Sequence, residues 1–554
     1  RWGKEYENTT LFSGGMVFSD GGKVVEEKML NAVMEQGSFV AAFTGISTTA
    51  GHDCLYEQSF PVLLNTTMGK LMAATGVRFE ATNVAMGNTR VAPYSFCVDA
   101  HAGVDADIIS WEMSMMVAGR QCGPPAAAIE QFIRSASVLP RRPAVLVMDA
   151  TPDQDMCTNS HLPWISMRNK QFMGDCAQGQ QPEKNLMTVY REFGLHQMSP
   201  SSLIPEHTCG DKRFARTDLF QYGKHYPHPT RWHPAPAGHL LLADMLFMHY
   251  AKVFLRALEH LEHIVPGATS NRLRETSDLS RLTSPALTQG KALGVGNAVD
   301  IAQESAKQGG SEDGSFVGAG QGSTLPSPVW CKAWRFCKGA GNFRCANTFS
   351  PLAGREGNRL VDMVSERTPS ILNSDLEKFE VQPTEGHWAV TLNEQARPIF
   401  EYLEAGPPDG AHLPIDMKWV LVGDKRSGPI EFEFEISGVV PPVFQGSEGE
   451  EATGSVKNGT TLTQQGIAAV EKDSRVTVCK PDFIDRVALT NSTEVRFSID
   501  GVETSAVELV QYGLYAGSCV LLAADIKVGR HTISVEPLKT GPPLVAISHM
   551  LYPA

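Results

Sequence analysis

No basic stripe runs through this sequence. Lys and Arg number 48 against 61 Asp and Glu, for a net charge of -13 over 554 residues. A nucleic-acid binder would need its cations gathered on one face, and here they are scattered. A long apolar run is missing too. The longest, around residues 239–255, is interrupted by Asp244, His249 and Lys252; it reads as an amphipathic helix rather than a membrane span. No Cys-x-x-Cys pair occurs, which removes the common zinc and redox signatures. No internal repeat stands out. The chain opens at Arg1 without an apolar leader, and the expectation is a mature chain whose signal peptide has been removed.

Size and composition are those of an ordinary globular protein, with 42% hydrophobic and 20% charged residues. A chain of this length exceeds one hydrophobic core, so two or more domains are expected. The eleven cysteines carry more information: Cys331, Cys337 and Cys345 are close together and the rest lie at irregular spacing. Four Asn-x-Ser/Thr sequons occur, at Asn8, Asn65, Asn458 and Asn491. Together they favour an oxidising, secreted or extracellular setting. Because eleven is odd, at least one thiol stays outside intrachain disulfides.

Three regimes follow one another along the chain. From Gly37 to about Val265 strands and helices alternate. Residues 38–44 (SFVAAFT), 77–85, 106–113 (ADIISWEM) and 143–150 (PAVLVMDA) read as strands. Residues 57–75, 124–138 and 234–264 carry apolar stripes at helical spacing. Such alternation predicts a parallel sheet covered on both faces, with ligands at the carboxyl ends of its strands. Residues 266–330, rich in Gly, Ser, Thr and Ala without periodicity, predict a linker or extended arm. The Cys-containing connecting segment 331–379 follows, and its stretch 331–345 reads as a disulfide-tied loop. Residues 380–554 hold short strands near 388–392, 418–423, 430–436, 475–479, 495–499, 518–524 and 530–535, punctuated by Gly, Pro, Asn and Asp. That pattern predicts a β-sandwich.

Chemistry concentrates at three places in the first region. The turn after the first strand reads Gly45-Ile46-Ser47-Thr48-Thr49. A serine on a sharp strand-to-helix turn is held out at the sheet's carboxyl edge. The Gly-x-Ser-x-Gly elbow is excluded, because position 49 is Thr, and the bland alternative is a serine that caps the next helix. Gly87-Asn88, after the second strand, can offer amide donors to an oxyanion, or be a plain turn. Trp232-His233-Pro234 opens the terminal helix, from which His233 can reach that serine as a general base. The histidines His225, His228, His233 and His239 share a segment, but it is broken by proline and lacks a matching Cys or carboxylate pattern. No metal and no cofactor are expected. Trp111 and Glu112, ending the third strand, fit either core or cleft rim. Trp388 and Trp419 fit a sandwich core better than a sugar-stacking surface.

The serine turn, the Gly-Asn turn and the late His-Pro resemble the SGNH (GDSL-type) hydrolases. The resemblance covers roughly the first half of the chain and implies a flavodoxin-like three-layer domain over residues 1–265. It also implies Ser47 as nucleophile, His233 as base and Gly87, with Asn88, in the oxyanion hole, without a metal. Three positions depart from the family pattern. Ile46 stands where the family has Asp before the serine. Ser114-Met115-Met116-Val117 replaces Gly-x-Asn-Asp, putting Met116 in place of an oxyanion-hole amide. Thr230 stands where the triad acid is found; Asp218 or Glu112 are the carboxylates that could substitute. The expected activity is hydrolysis of acyl or acetyl esters of extracellular glycans or small molecules, with no nucleic acid or membrane span involved. The alternative is a catalytically degenerate SGNH-like glycoprotein with a structural or glycan-binding role in an extracellular assembly, including self-association.

Overall fold

The computed structural model describes residues 16–18, 22–35, 37–52, 54–85, 87, 95–113, 124–148, 193–198, 233–266, 343–348, 359–366, 370–373, 383–392, 419–436, 476–480, 489, 492–508, 519–523, 526–541 and 545–553. Asn88, Ser114–Val117, Asp218, His225, His228 and Thr230 lie outside these residues. So do the sequons at Asn8, Asn458 and Asn491, and nearly all of the stretch 266–330.

The first region comprises β1 (Met16–Phe18), α1 (Gly22–Glu35), β2 (Ser38–Phe43), a single turn α2 (Ser47–Ala50), α3 (Phe60–Ala73) and β3 (Arg78–Asn83). It continues with α4 (Val98–Ala102), β4 (Ile108–Trp111), α5 (Pro124–Ser137), β5 (Ala144–Met148), β6 (His196–Met198) and α6 (Pro236–Ile264). The strands form one sheet in the order β1-β6-β5-β4-β2-β3. All pairings are parallel except that of β1 with β6. Counting only the parallel strands, the order is 2-1-3-4-5, the flavodoxin-like doubly wound arrangement. Helix α1 had no counterpart in the strand-and-helix reading of the sequence, which began at Gly37.

Each element obeys its own period. In α3, Phe60, Leu64, Met68 and Met72 recur every four residues, and each is fully buried; such burial contributes about 1.5–3 kcal/mol per side chain. Along β2, Phe39, Ala41 and Phe43 join the core under α1, α3 and α6. Val40 and Ala42, on the other face, join the core beside α4 and α5. The alternation of a strand thus produces three layers. At the amino end of the sheet, the buried Asp107 accepts from Val40 N (2.8 Å) and from Arg141 Nη1 (3.0 Å). Burial pushes its carboxyl pKa up, and those bonds oppose the shift.

The second region contains β7 (Phe343–Asn347), β8 (Ser370–Asn373), β9 (His387–Leu392), β10 (Trp419–Gly423), β11 (Ile430–Ile436), β12 (Val476–Cys479) and β13 (Val495–Ile499). These are followed by β14 (Val502–Thr504), β15 (Val507–Glu508), β16 (Cys519–Ala523), β17 (Gly529–Pro537), β18 (Val545–Ile547) and β19 (His549–Pro553). They form three sheets, β18-β10-β9-β8, β11-β17-β13-β14 and β15-β16-β12-β19-β7. In β11, Ile430, Phe432, Phe434 and Ile436 are buried while Glu433 and Glu435 are exposed. Asp500 and Gly501, both at positive φ, make the two-residue turn between β13 and β14 that an Asp-Gly pair favours. Trp388 is fully buried. A Cβ on Gly423 would lie 2.6 Å from its indole ring, so the sheet needs glycine there.

The two regions share a core. The apolar cluster beside α4 and α5 runs on through Cys345, Ala346 and Trp388 into the three sheets. A disulfide, Cys97–Cys345, bridges 248 residues across this seam, and a second joins Cys479 to Cys519. Cys345 is thus tied to the residue just before α4, while Cys331 and Cys337 lie outside the described residues.

His249 on α6 makes stability sensitive to pH. The residue is half-buried, but its Nε2 is shut off from solvent. The ring packs edge-on against His196 (5.7 Å) and Tyr250 (5.2 Å). Burial first, then the charges of His196, Arg256 and Lys252, push its pKa down to about 3. In the unfolded chain it titrates near 6.5, so between these values the unfolded state binds more protons and stability falls as pH falls. The expected loss from this one group is about 1–2 kcal/mol at pH 5. Urea unfolding at pH 7.5 and pH 5 should show a smaller acid loss in His249→Gln than in the wild type; equal losses would remove His249 as the cause.

Candidate active site

The site is built where the chain reverses its direction of travel across the sheet, between the carboxyl ends of β2 and β4. There Thr44 and Ser110 bond each other reciprocally: Thr44 Oγ1 donates to Ser110 O, and Ser110 Oγ donates to Thr44 O at 2.8 Å. Gly45 then bridges to Glu112. A Cβ on Gly45 would lie 2.7 Å from Thr49 Cβ and 3.0 Å from Glu112 Cβ, so only glycine lets the turn close so tightly. Ile46 N donates to Glu112 O (3.2 Å) and Oε2 (3.3 Å), and Thr49 Oγ1 donates to Oε2 at 3.0 Å. Glu112 is fully buried. A buried carboxyl is costly unless hydrogen-bonded, and here its bonds fall on the turn that carries Ser47.

A second strand end braces the same turn. Asn83, at the end of β3, donates from Nδ2 to Thr49 O at 2.8 Å and accepts from Ala85 N at 3.2 Å. Gly51 closes α2 at φ 92°, where a Cβ would lie 2.9 Å from Ser59 Cβ. Gly51 N and His52 N both donate to Ser47 O, at 3.1 and 3.0 Å. Ile46, where the resembled family has Asp, is 2% exposed and part of the core.

Ser47 is half-buried at the first position of α2. The N-cap of that helix is Ile46, without a side-chain cap bond. Ser47 Oγ instead lies 2.6 Å from His233 Nε2, which sets aside the reading of Ser47 as a cap. With only four residues, α2 contributes little dipole. Its first amide nonetheless has no acceptor within the helix. His233 is 5% exposed and stands three residues before α6. The start of that helix is pinned by His239, whose Nδ1 accepts from Phe60 N at 3.3 Å. His233 and His239 therefore serve different partners, one the serine and the other α3. His52 lies edge-on to His233, with ring centroids 5.2 Å apart.

Of the residues singled out from sequence, Ser47 and His233 are brought together across 186 positions. Gly87 is a buried turn residue four positions beyond β3, next to β2 in the sheet. Asn88, Met116, Thr230 and Asp218 lie outside the described residues. Trp111 is core, 2% exposed with its ring 4.7 Å from that of Phe132. Asn83, Thr49, Gly45 and His52 were not foreseen. The Gly-x-x-x-Thr spacing of 45–49 was the available signal for two of them.

No protein-family model matches the chain, and no curated protein matches it. Among solved structures it is similar to a two-domain esterase active on acetylated mannans, at 12% identity and TM-score 0.42, covering 98% of both chains. It is also similar to TesA, at 13% identity and TM-score 0.27, covering 39% of this chain and 99% of that one. Likenesses so distant carry no weight for substrate or mechanism. The strand order 2-1-3-4-5, a serine after the first parallel strand and a histidine before the last helix together give this chain a flavodoxin-like doubly wound α/β domain with a Ser–His pair at its switch point.

Proposed function

We propose that the chain is a serine ester hydrolase. The observation that carries this is the 2.6 Å approach of Ser47 Oγ to His233 Nε2, at the sheet position where doubly wound folds place ligands. Ser47 Oγ attacks the ester carbonyl while His233 Nε2 takes its proton. The oxyanion accepts hydrogen bonds from the amides of Ser47 and Gly87, each such donor being worth about a hundred to a thousand in rate. The carbonyl reforms, the ester C–O bond breaks, and the alcohol leaves with the proton from His233. Water, deprotonated by His233, then attacks the acyl-enzyme and releases the carboxylic acid and Ser47. Glu112, Thr49 and Asn83 hold the serine turn in place.

The substrate class is a small acyl ester, with acetyl esters of extracellular glycans as the finer reading. An O-acetylated mannan serves as the polymer arm of the test. The disulfides Cys97–Cys345 and Cys479–Cys519 fit an oxidising compartment, and no described helix is long and apolar enough to cross a membrane. A fluorophosphonate probe tests the chemistry without knowledge of the substrate. One adduct per chain is expected, mapping to Ser47 and absent from His233→Ala. A folded chain that takes no adduct would end the esterase reading in favour of a structural role.

A further inference from the structure

The seam between the α/β domain and the three sheets holds a second cluster of chemically capable side chains, remote in function from Ser47. Cys97 and His101 stand four residues apart, on one face of α4 and the residue before it. His101 N donates to Cys97 O at 2.9 Å, as in a regular helical turn. Opposite them, β19 pairs with β7 so that Leu551 faces Cys345 and His549 faces Asn347. In an antiparallel pair, this register puts Cys345 and His549 diagonally on one face of the sheet. A helix supplies one Cys and one His, and two adjacent strands supply another of each.

Three of the four side chains converge. One ligand atom each from Cys97, His101 and His549 lie within 4.8 Å of one another, and Cys345 Sγ is bonded to Cys97 Sγ. His101 and His549 are each 5% exposed, with ring centroids 5.6 Å apart. His549 Nδ1 lies 2.7 Å from Ser548 Oγ, which also lies 3.2 Å from Cys479 O. An outer hydrogen bond on one ring nitrogen is what orients an imidazole for binding a metal through the other.

We propose that, once the Cys97–Cys345 disulfide is reduced, Cys97, Cys345, His101 and His549 form a buried Cys2His2 site for Zn2+. The reductant is a dithiol or a phosphine. It supplies two electrons, the S–S bond breaks, and each sulfur takes a proton. A dithiol gives up its own two protons and closes to its disulfide, while a phosphine takes the oxygen of a water molecule to become its oxide, the water's two protons going to the sulfurs. On binding, both thiols release their protons, so two thiolates and two neutral imidazoles surround the ion. Two negative charges cancel the charge of Zn2+, the condition for burying it. Four such ligands in a tetrahedron, with Zn–S about 2.3 Å and Zn–N about 2.0 Å, are a structural zinc set. The seam is thereby held by a covalent bond under oxidising conditions and by zinc under reducing ones.

The test uses the full chain, reduced with a phosphine, with and without zinc chloride. Alkylation by iodoacetamide is followed at each cysteine by peptide mass spectrometry, and folding by near-UV circular dichroism. Zinc is expected to slow alkylation of Cys97 and Cys345 at least tenfold. That protection should be absent from a His101→Gln/His549→Gln variant whose oxidised form gives the wild-type dichroism. Should the double variant not fold, each single variant is expected to lose the protection at both cysteines. Equal alkylation with and without zinc overturns the proposal. So does protection that survives loss of the histidines, or a reduced chain that zinc does not keep folded. None of these results depends on whether Ser47 reacts with the phosphonate probe.

Discussion

A Ser47→Ala variant is expected to hydrolyse a small ester about a million-fold more slowly in kcat than the wild type, as removal of a paired serine nucleophile does elsewhere. His233→Ala should lose a similar factor, and the double variant little more than either alone. Residues that act as one unit are not additive: without its base the serine hydroxyl is a weak nucleophile, and without the serine the base has nothing to activate. The contact behind this expectation is the 2.6 Å Ser47–His233 pair. KM should change little, because neither residue is needed to hold the ground-state ester. The measurement is steady-state hydrolysis of p-nitrophenyl acetate, with acetate release from an O-acetylated mannan as the polymer arm. Full activity in Ser47→Ala would mean that the reaction belongs to another group, and additive losses would mean that the two residues act separately.

The second large effect concerns the seam. Replacing both Cys97 and Cys345 by serine opens a link between positions 248 residues apart. In chain-entropy terms, closing a loop of that length stabilises the fold by about 5 kcal/mol relative to the unlinked chain. The double variant is expected to melt roughly 10 °C lower in a thermal scan, while still labelling at Ser47 at room temperature. The apolar core shared between Phe96 and Ala346 remains and keeps the regions together below the transition. An unchanged Tm would show that packing alone sets the stability of the seam. Opening the Cys479–Cys519 link, only 40 residues long, should cost less.

Much of the scaffold was legible in the sequence because its elements are defined over short distances. The four-residue recurrence of Phe60, Leu64, Met68 and Met72 lies within one helix, and the alternation in residues 430–436 lies within one strand. Each repeats a geometric period that needs no distant partner. Ser47 and His233 were visible as candidates for a similar reason: each sits at a local break, one after an apolar strand and one beside a proline before a long helix. Helix α1 was missed because its stripe of Val25, Met29 and Val33 is interspersed with Lys, Glu and Asn and precedes the first obvious strand. The grouping of the C-terminal strands into three sheets was not legible either. An exposed run such as Val502–Thr504 and a buried one such as Val545–Ile547 do not declare their neighbours.

The sequence by itself determined the alternation of strands and helices, the identity of a serine turn and a late histidine, and the β character of the C-terminal region. Only the tertiary structure decided that Ser47 and His233 touch, that Glu112 and Asn83 brace the serine turn rather than line a cleft, and that Cys345 pairs with Cys97. It also decided that His233 and His239, six residues apart, serve different partners. The physical reason is range. A helical or strand period is encoded within about fifteen residues, whereas contacts across 60 to 250 residues form only after loop closure has been offset by burial of a common core.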